Sequence, residues 1–181
     1  GSFGGSGEVN QGETANLIDA DGQVEGESYT SDGDDENALR IDGATVTLKD
    51  VTVNKSAGAS SNTEDGDFYG MNAALLATNG AQVTIENGEI RSAAQNGNGI
   101  FSYGEGTVVD VRDTSISTEE DNSGGIQTAG GGTTYASNLT VETQGRSSAA
   151  IRSDRGGGTV QVEGGSYTTS GTGSPAIYST A

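Results

Sequence analysis

Seven carboxylates fall in two short stretches, Asp32-Gly-Asp-Asp-Glu-Asn37 and Ser61-Asn-Thr-Glu-Asp-Gly-Asp-Phe-Tyr-Gly70. Carboxylates brought close repel one another unless something neutralises them. A hard cation with six to eight oxygen ligands does so, and Ca²⁺ suits flexible Asp/Glu/Asn loops better than Mg²⁺. The spacing therefore predicts a calcium site drawn from Asp34, Asp35, Glu64, Asp65 and Asp67, with the solvated corner of an acidic protein as the competing reading. A second constellation repeats along the chain: Arg40, Leu76, Phe101, Gln127, Arg152 and Tyr178, with Tyr103 and Asp154 two residues beyond their neighbours. Large planar side chains on an exposed flat sheet suit an extended glycan, because rings stack on sugar faces and a guanidinium pairs with carboxylates or hydroxyls. Arg40, Phe101, Tyr103, Gln127, Arg152 and Tyr178 are the expected carbohydrate-binding residues. Stacking of long side chains for packing alone is the competing account.

Composition limits what else the chain can do. Its 181 residues carry 26 acids and 8 bases, a formal charge of −18, with no Cys and no His. That removes a disulfide frame, a Cys/His zinc site, a His general base and a Cys nucleophile. A charge of −18 without a basic patch argues against nucleic acid and anionic membrane surfaces as partners. No apolar run approaches the roughly 18 residues of a membrane span, so direct membrane insertion is not expected.

Leu, Ile, Val and Phe make up about 17% of the chain, a level at which composition alone favours disorder. A repeat answers that objection. One apolar column runs Leu39, Leu75, Ile100, Ile126, Ile151, Ile177; a second runs Val24, Leu48, Ile85, Val111, Ala136, Val162; a third runs Tyr29, Val53, Ile90, Ile116, Val141, Tyr167. The second column precedes the third by five residues in all six repeats. Apolar residues alternate within each segment, as in Val46/Leu48 and Val83/Ile85, which is the period of a strand. Three short strands per coil of about 25 residues, stacked in register, form an all-β parallel β-helix, a solenoid with a narrow core.

The corners agree with this reading. Three residues before the third column stand Gly26, Asp50, Asn87, Asp113, Asn138 and Gly164, the residue types that best accept a positive φ. Two residues after it stand Ser31, Lys55, Ser92, Thr118, Thr143 and Thr169, a hydroxyl ladder with one exception. Ser102, Thr128, Ser153 and Ser179 are expected to point inward and bond along the axis. Residues 1–8 read as a flexible segment and 9–181 as one domain, with Val9 and Leu17 in an imperfect first coil. No polar cap closes the C-terminal coil, so the sequence reads as part of a longer protein or one whose end associates with another chain. Twelve extra residues separate Val53 from Leu75, and this insertion lies beside the corner 32–37 of the preceding coil. It leads into the first strand and is expected to wall the glycan-binding face.

Gly99-Ile-Phe-Ser-Tyr-Gly-Glu-Gly106, Gly124-Gly-Ile-Gln-Thr128 and Ala149-Ala-Ile-Arg-Ser-Asp-Arg-Gly-Gly-Gly158 resemble surface β-helix proteins of anaerobic Gram-positive bacteria. Those proteins are commonly labelled adhesins or carbohydrate-binding proteins and belong to the wider pectate-lyase-like superfamily. The resemblance covers nearly the whole chain as a coil pattern. It implies right-handed coils, a secreted or cell-surface location, calcium dependence and recognition of a polysaccharide or cell-surface glycan. A hydrolase of that superfamily would show Asn-x-Asp, Asp-Asp, Gly-His-Gly and Arg-x-Lys on successive coils; Asp34-Asp35 is present, whereas His and Arg-x-Lys are not. The expectation is a non-catalytic binding or adhesion module. A polysaccharide lyase or glycoside hydrolase is the first alternative, and a structural stalk or self-assembling fibre unit the second. An ice-binding face is disfavoured because Thr47, Thr84, Asp110, Tyr135 and Gln161 do not repeat a threonine.

Overall fold

The computed structural model describes residues 9–154 and 156–179. They form a parallel β-solenoid of three sheets, with six strands in two sheets and seven in the third. The first sheet comprises Leu17–Ile18, Leu39–Asp42, Leu75–Thr78, Ile100–Tyr103, Ile126–Ala129, Ile151–Ser153 and Ile177–Ser179. Each strand pairs in parallel with the equivalent strand one coil away. All three apolar columns are in register, as in Leu39↔Leu75↔Ile100↔Ile126, Leu48↔Ile85↔Val111 and Val53↔Ile90↔Ile116. A slip of one residue would turn every inward side chain outward, so the columns fix the register.

The inward residues form one continuous core, including Leu39, Leu75, Ile85, Ile90, Ile100 and Ile126, all fully buried. Every residue that the sequence places at the bend before the third strand has the left-handed conformation: Gly26, Asp50, Asn87, Asp113, Asn138 and Gly164 have φ between 50° and 74°. Two of these corners are tied to the next coil, with Asn87 Nδ2 donating to Asp50 Oδ1 and Asn138 Nδ2 to Asp113 Oδ1, both at 2.7 Å. On the outer face of the second sheet, Glu25, Lys49, Glu86 and Arg112 are consecutive partners of alternating sign. Exposed pairs of this kind contribute little energy, but a shifted register would bring like charges together.

The hydroxyl ladder closes the corners after the third sheet. Thr118 Oγ1 donates to Ser123 O at 2.6 Å, and Thr143 and Thr169 bond Ser148 and Ser174 in the same way. The serines so reached form their own ladder: Ser123 N donates to Ser148 Oγ and Ser148 N to Ser174 Oγ. The inward hydroxyls of the first sheet depart from expectation. Only Ser153 and Ser179 bond along the axis; Ser102 Oγ donates to Thr133 O, and Thr128 pairs with Thr134, so both cross to the neighbouring sheet. Leu17 also faces outward, and Ile18, paired with Ile41, packs on the core instead.

The insertion contains the one helix among the described residues, Thr63–Tyr69, which the strand-only reading of the sequence did not anticipate. Its ends carry ordinary signals. Asn62 accepts from Asp65 N as N-cap, Glu64 and Asp65 occupy the first turn, and Gly70 closes the helix at φ 87°. No helix among the described residues is long and apolar enough to cross a membrane.

Candidate functional site

The inserted helix decides which outward residues remain available. It lies across the first sheet rather than beside it. Leu76, Phe101 and Gln127 are fully buried, and Leu76 and Phe101 join Ala73 and Ala129 in a small apolar cluster outside the solenoid tube. Tyr103 packs against that cluster, and its ring meets Tyr69 of the helix edge-on at 5.6 Å between centroids. Close approach requires glycine: a Cβ on Gly66 would stand 2.0 Å from Asn96 Oδ1, and one on Gly70 2.6 Å from Leu76 Cδ1. Burial of Phe101 alone contributes about 1.5–3 kcal/mol to holding the helix down. The expected exposed glycan platform is therefore corrected. Phe101 and Gln127 pack the helix onto the sheet, and Tyr103 borders that contact.

Arg40, the lowest rung, is also committed to structure. Its Nε donates to Asn37 Oδ1 at 2.9 Å and its guanidinium to the carbonyls of Gln11, Gly12 and Glu13. It thereby holds the short strand Glu13–Thr14, which pairs with Glu36–Asn37. An alternation pattern reveals that these side chains point away from the core; it does not reveal what a later insertion lays over them.

The upper rungs are different. Arg152 and Tyr178 border a cleft of about 280 Å³, lined also by Asp67, Asn122, Ser147, Ala149, Gly173 and Pro175. The Arg152 guanidinium lies over one face of the Tyr178 ring, 5.2 Å from its centroid, and pairs with Asp154 at 2.5 Å and Asp67 at 4.0 Å. Asp67 comes from the helix, Arg152 and Tyr178 from the sheet, and Asp154 directly follows the strand Ile151–Ser153. Asn96 Nδ2 holds Asp67 Oδ1 at 2.8 Å, and Gln127 Nε2 reaches Asp67 O at the same distance. Burial raises the Asp67 carboxyl above its usual range; the Arg152 charge and the Asn96 hydrogen bond oppose that shift without cancelling it. Two buried polar atoms on paired rungs, Gln127 Oε1 and Arg152 Nε, have no hydrogen-bond partner.

The carboxylates of the corner 32–37 do not join this site, and they do not converge on one another. Asp34 Oδ1 accepts from Ala59 N at 2.8 Å, and Asp35 Oδ1 from Ser61 N at 2.7 Å. They tie the insertion to the coil below through backbone amides, the task the sequence reading gives to calcium. Asp65 accepts from Asn10 Nδ2, and Asp67 faces the cleft. Among the described residues no three acidic groups are placed to hold a metal ion. A calcium ion shared by Asp34, Asp35, Glu64, Asp65 and Asp67 does not fit this arrangement.

The corner's counter-charge is Lys55, the exception in the hydroxyl ladder. Its side chain is fully buried; Nζ donates to Ser31 Oγ at 3.1 Å and to Gly33 O. Ser31 Oγ donates onward to Glu36 Oε1 at 2.6 Å. Burial lowers the Lys55 pKa, while Glu36, Asp34, Asp32 and Asp35 oppose that shift. A lysine replacing a hydroxyl directly above an acidic corner was legible as a signal. Asn96, Asn122 and Ser147 were not, because nothing in their spacing separates them from ordinary corner residues.

Compared with family models, curated proteins and solved structures, the chain matches none.

Proposed function

We propose that this protein is a non-catalytic, secreted or cell-surface β-helix module that binds carbohydrate in the cleft between the inserted helix and the first sheet. The observation that carries this reading is the composition of that cleft. A half-exposed phenol ring, a carboxylate, an amide, a hydroxyl and a partly buried guanidinium line one cavity of about 280 Å³. Its size stands just below the roughly 300–1,000 Å³ typical of small-molecule sites. Polar groups that differ in donor and acceptor character, arranged around one ring, suit a polyhydroxylated ligand. Asp67, Asn122, Arg152 and Tyr178 are the proposed contacts; Arg40, Phe101 and Gln127 support the fold, and Tyr103 packs beneath the helix.

A glycan array, paired with an assay for release of reducing or unsaturated sugar ends from every hit, tests the proposal. Binding without release supports it. Release abolished by Asp67→Asn or Arg152→Ala would replace the module with a hydrolase or lyase, for which Asp67 and Asp154 beside Arg152 would supply the acid–base groups.

A further inference from the structure

The corners of this fold carry a chemical liability. The chain holds four Asn-Gly pairs, Asn79-Gly80, Asn87-Gly88, Asn96-Gly97 and Asn98-Gly99, and in the first three the asparagine takes the left-handed conformation that a tight bend needs. In such a pair the glycine nitrogen, once it has lost its proton, can bond to the asparagine Cγ, with no side chain on glycine to hinder the approach. The carboxamide nitrogen then leaves as ammonia, and water opens the resulting succinimide to aspartate or isoaspartate. Each of these glycine amides donates to the next coil: Gly80 N to Thr107 Oγ1 at 3.0 Å, Gly88 N to Thr114 Oγ1 at 3.1 Å, Gly97 N to Ser123 Oγ at 2.9 Å and Gly99 N to Gly124 O at 2.9 Å. Asn96 and Asn98 are buried, whereas Asn79 and Asn87 are exposed. The hydroxyls that close the two exposed pairs are buried, and Thr114 Oγ1 is itself fixed by donating to Arg112 O at 2.8 Å. The carboxamides are held too, Asn79 Nδ2 by Asp42 Oδ1 at 2.9 Å and Asn87 Nδ2 by Asp50 Oδ1 at 2.7 Å. A glycine nitrogen can turn to Cγ only by leaving a buried hydroxyl without its donor. Asp50, Asn87 and Asp113 occupy equivalent corners of consecutive coils, so a carboxylate formed at position 87 would stand between two others.

We infer that Asn79 and Asn87 are latent deamidation sites, each held unreactive by one buried hydroxyl of the next coil, Thr107 for Asn79 and Thr114 for Asn87. The protection comes from stacking, so it exists only in the folded solenoid and fails at one corner when that corner's hydroxyl is removed. It is independent of what the cleft binds.

The test is incubation of the full chain at mildly alkaline pH, followed by digestion and mass spectrometry, which reads the fraction of carboxamide converted to carboxyl at each asparagine. Wild type, Thr107→Val, Thr114→Val and Thr114→Ser are compared, each with its melting temperature, and wild type is repeated in urea. Folded wild type is expected to convert Asn79 and Asn87 at least about tenfold more slowly than the urea-unfolded chain. Thr114→Val keeps the shape and removes the acceptor; it accelerates Asn87 by about threefold to tenfold and leaves Asn79 unchanged, and Thr107→Val does the reverse. Thr114→Ser keeps the hydroxyl and the wild-type rate. Equal rates in folded and unfolded wild type, or a folded valine variant that accelerates neither asparagine or both alike, overturn the inference. Should a valine variant not fold, amide hydrogen exchange of Gly80 and Gly88 in wild type decides: slow exchange supports the guard, and exchange at the rate of a free amide overturns it.

Discussion

Two ionised side chains show how this acidic chain manages buried charge. Lys55 is enclosed above a corner of four acids and satisfies Ser31 and the Gly33 carbonyl. Lys55→Met keeps the length but strips those acceptors of a charged donor and the corner of its cation. A loss of about 2–3 kcal/mol is expected, read as a lower urea midpoint at unchanged slope. Asp67 presents the opposite case, a carboxyl that burial raises where it borders the cleft. A carboxyl whose folded pKa exceeds its unfolded value penalises the folded state as it ionises. The penalty is absent below the ordinary aspartate range, grows as pH rises through it, and is complete above the folded pKa. Asp67→Asn, which mimics the neutral acid, should therefore gain stability relative to wild type as pH rises from strongly acidic to neutral. Melting temperatures of both proteins across that range check the sign, and a difference that moves the other way contradicts it. The same substitution should weaken glycan binding, so that stability and function move in opposite directions.

At the scale of elements, one seven-residue helix converts an open sheet face into a small apolar contact and a cleft. The strands were legible because the core admits one register, and the corners because Gly, Asn and Asp fill every left-handed bend before the third sheet. The helix had readable ends too, at Asn62 and Gly70, but its short polar run lacked the periodicity that marks a core-facing helix. What covers Phe101 depends on a contact between residues far apart in sequence, and strand alternation carries no information about it. Gly66 is where that contact is tightest. Gly66→Ala places a Cβ against Asn96, which is itself fixed to Asp67 and to Asn122 O. The helix is expected to lift while the solenoid persists. Limited proteolysis should then cut within residues 56–70 at least several-fold faster, with little change in the far-ultraviolet β signal. Unchanged cleavage would show that the helix is not held by this approach.

The whole molecule is a rigid stack that gains stability coil by coil and devotes little of its surface to chemistry. Its three sheets are continuous through the described coils, and the inserted helix adds a cleft where it meets the first sheet. In the acidic corner Asp34 and Asp35 hold backbone amides of the insertion, while Arg40 holds the strand Glu13–Thr14 and Phe101 packs under the helix. The cleft at Asp67, Arg152 and Tyr178 is where the first-sheet ladder stays open. Calorimetric titration of the best-binding glycan into wild type, Tyr178→Ala and Arg40→Ala, each with its melting temperature, tests this most directly. Wild type and Arg40→Ala should bind alike, even though Arg40→Ala melts lower, whereas Tyr178→Ala should lose about tenfold or more in affinity at a nearly unchanged melting temperature. Equal affinity for wild type and Tyr178→Ala would contradict a site in this cleft.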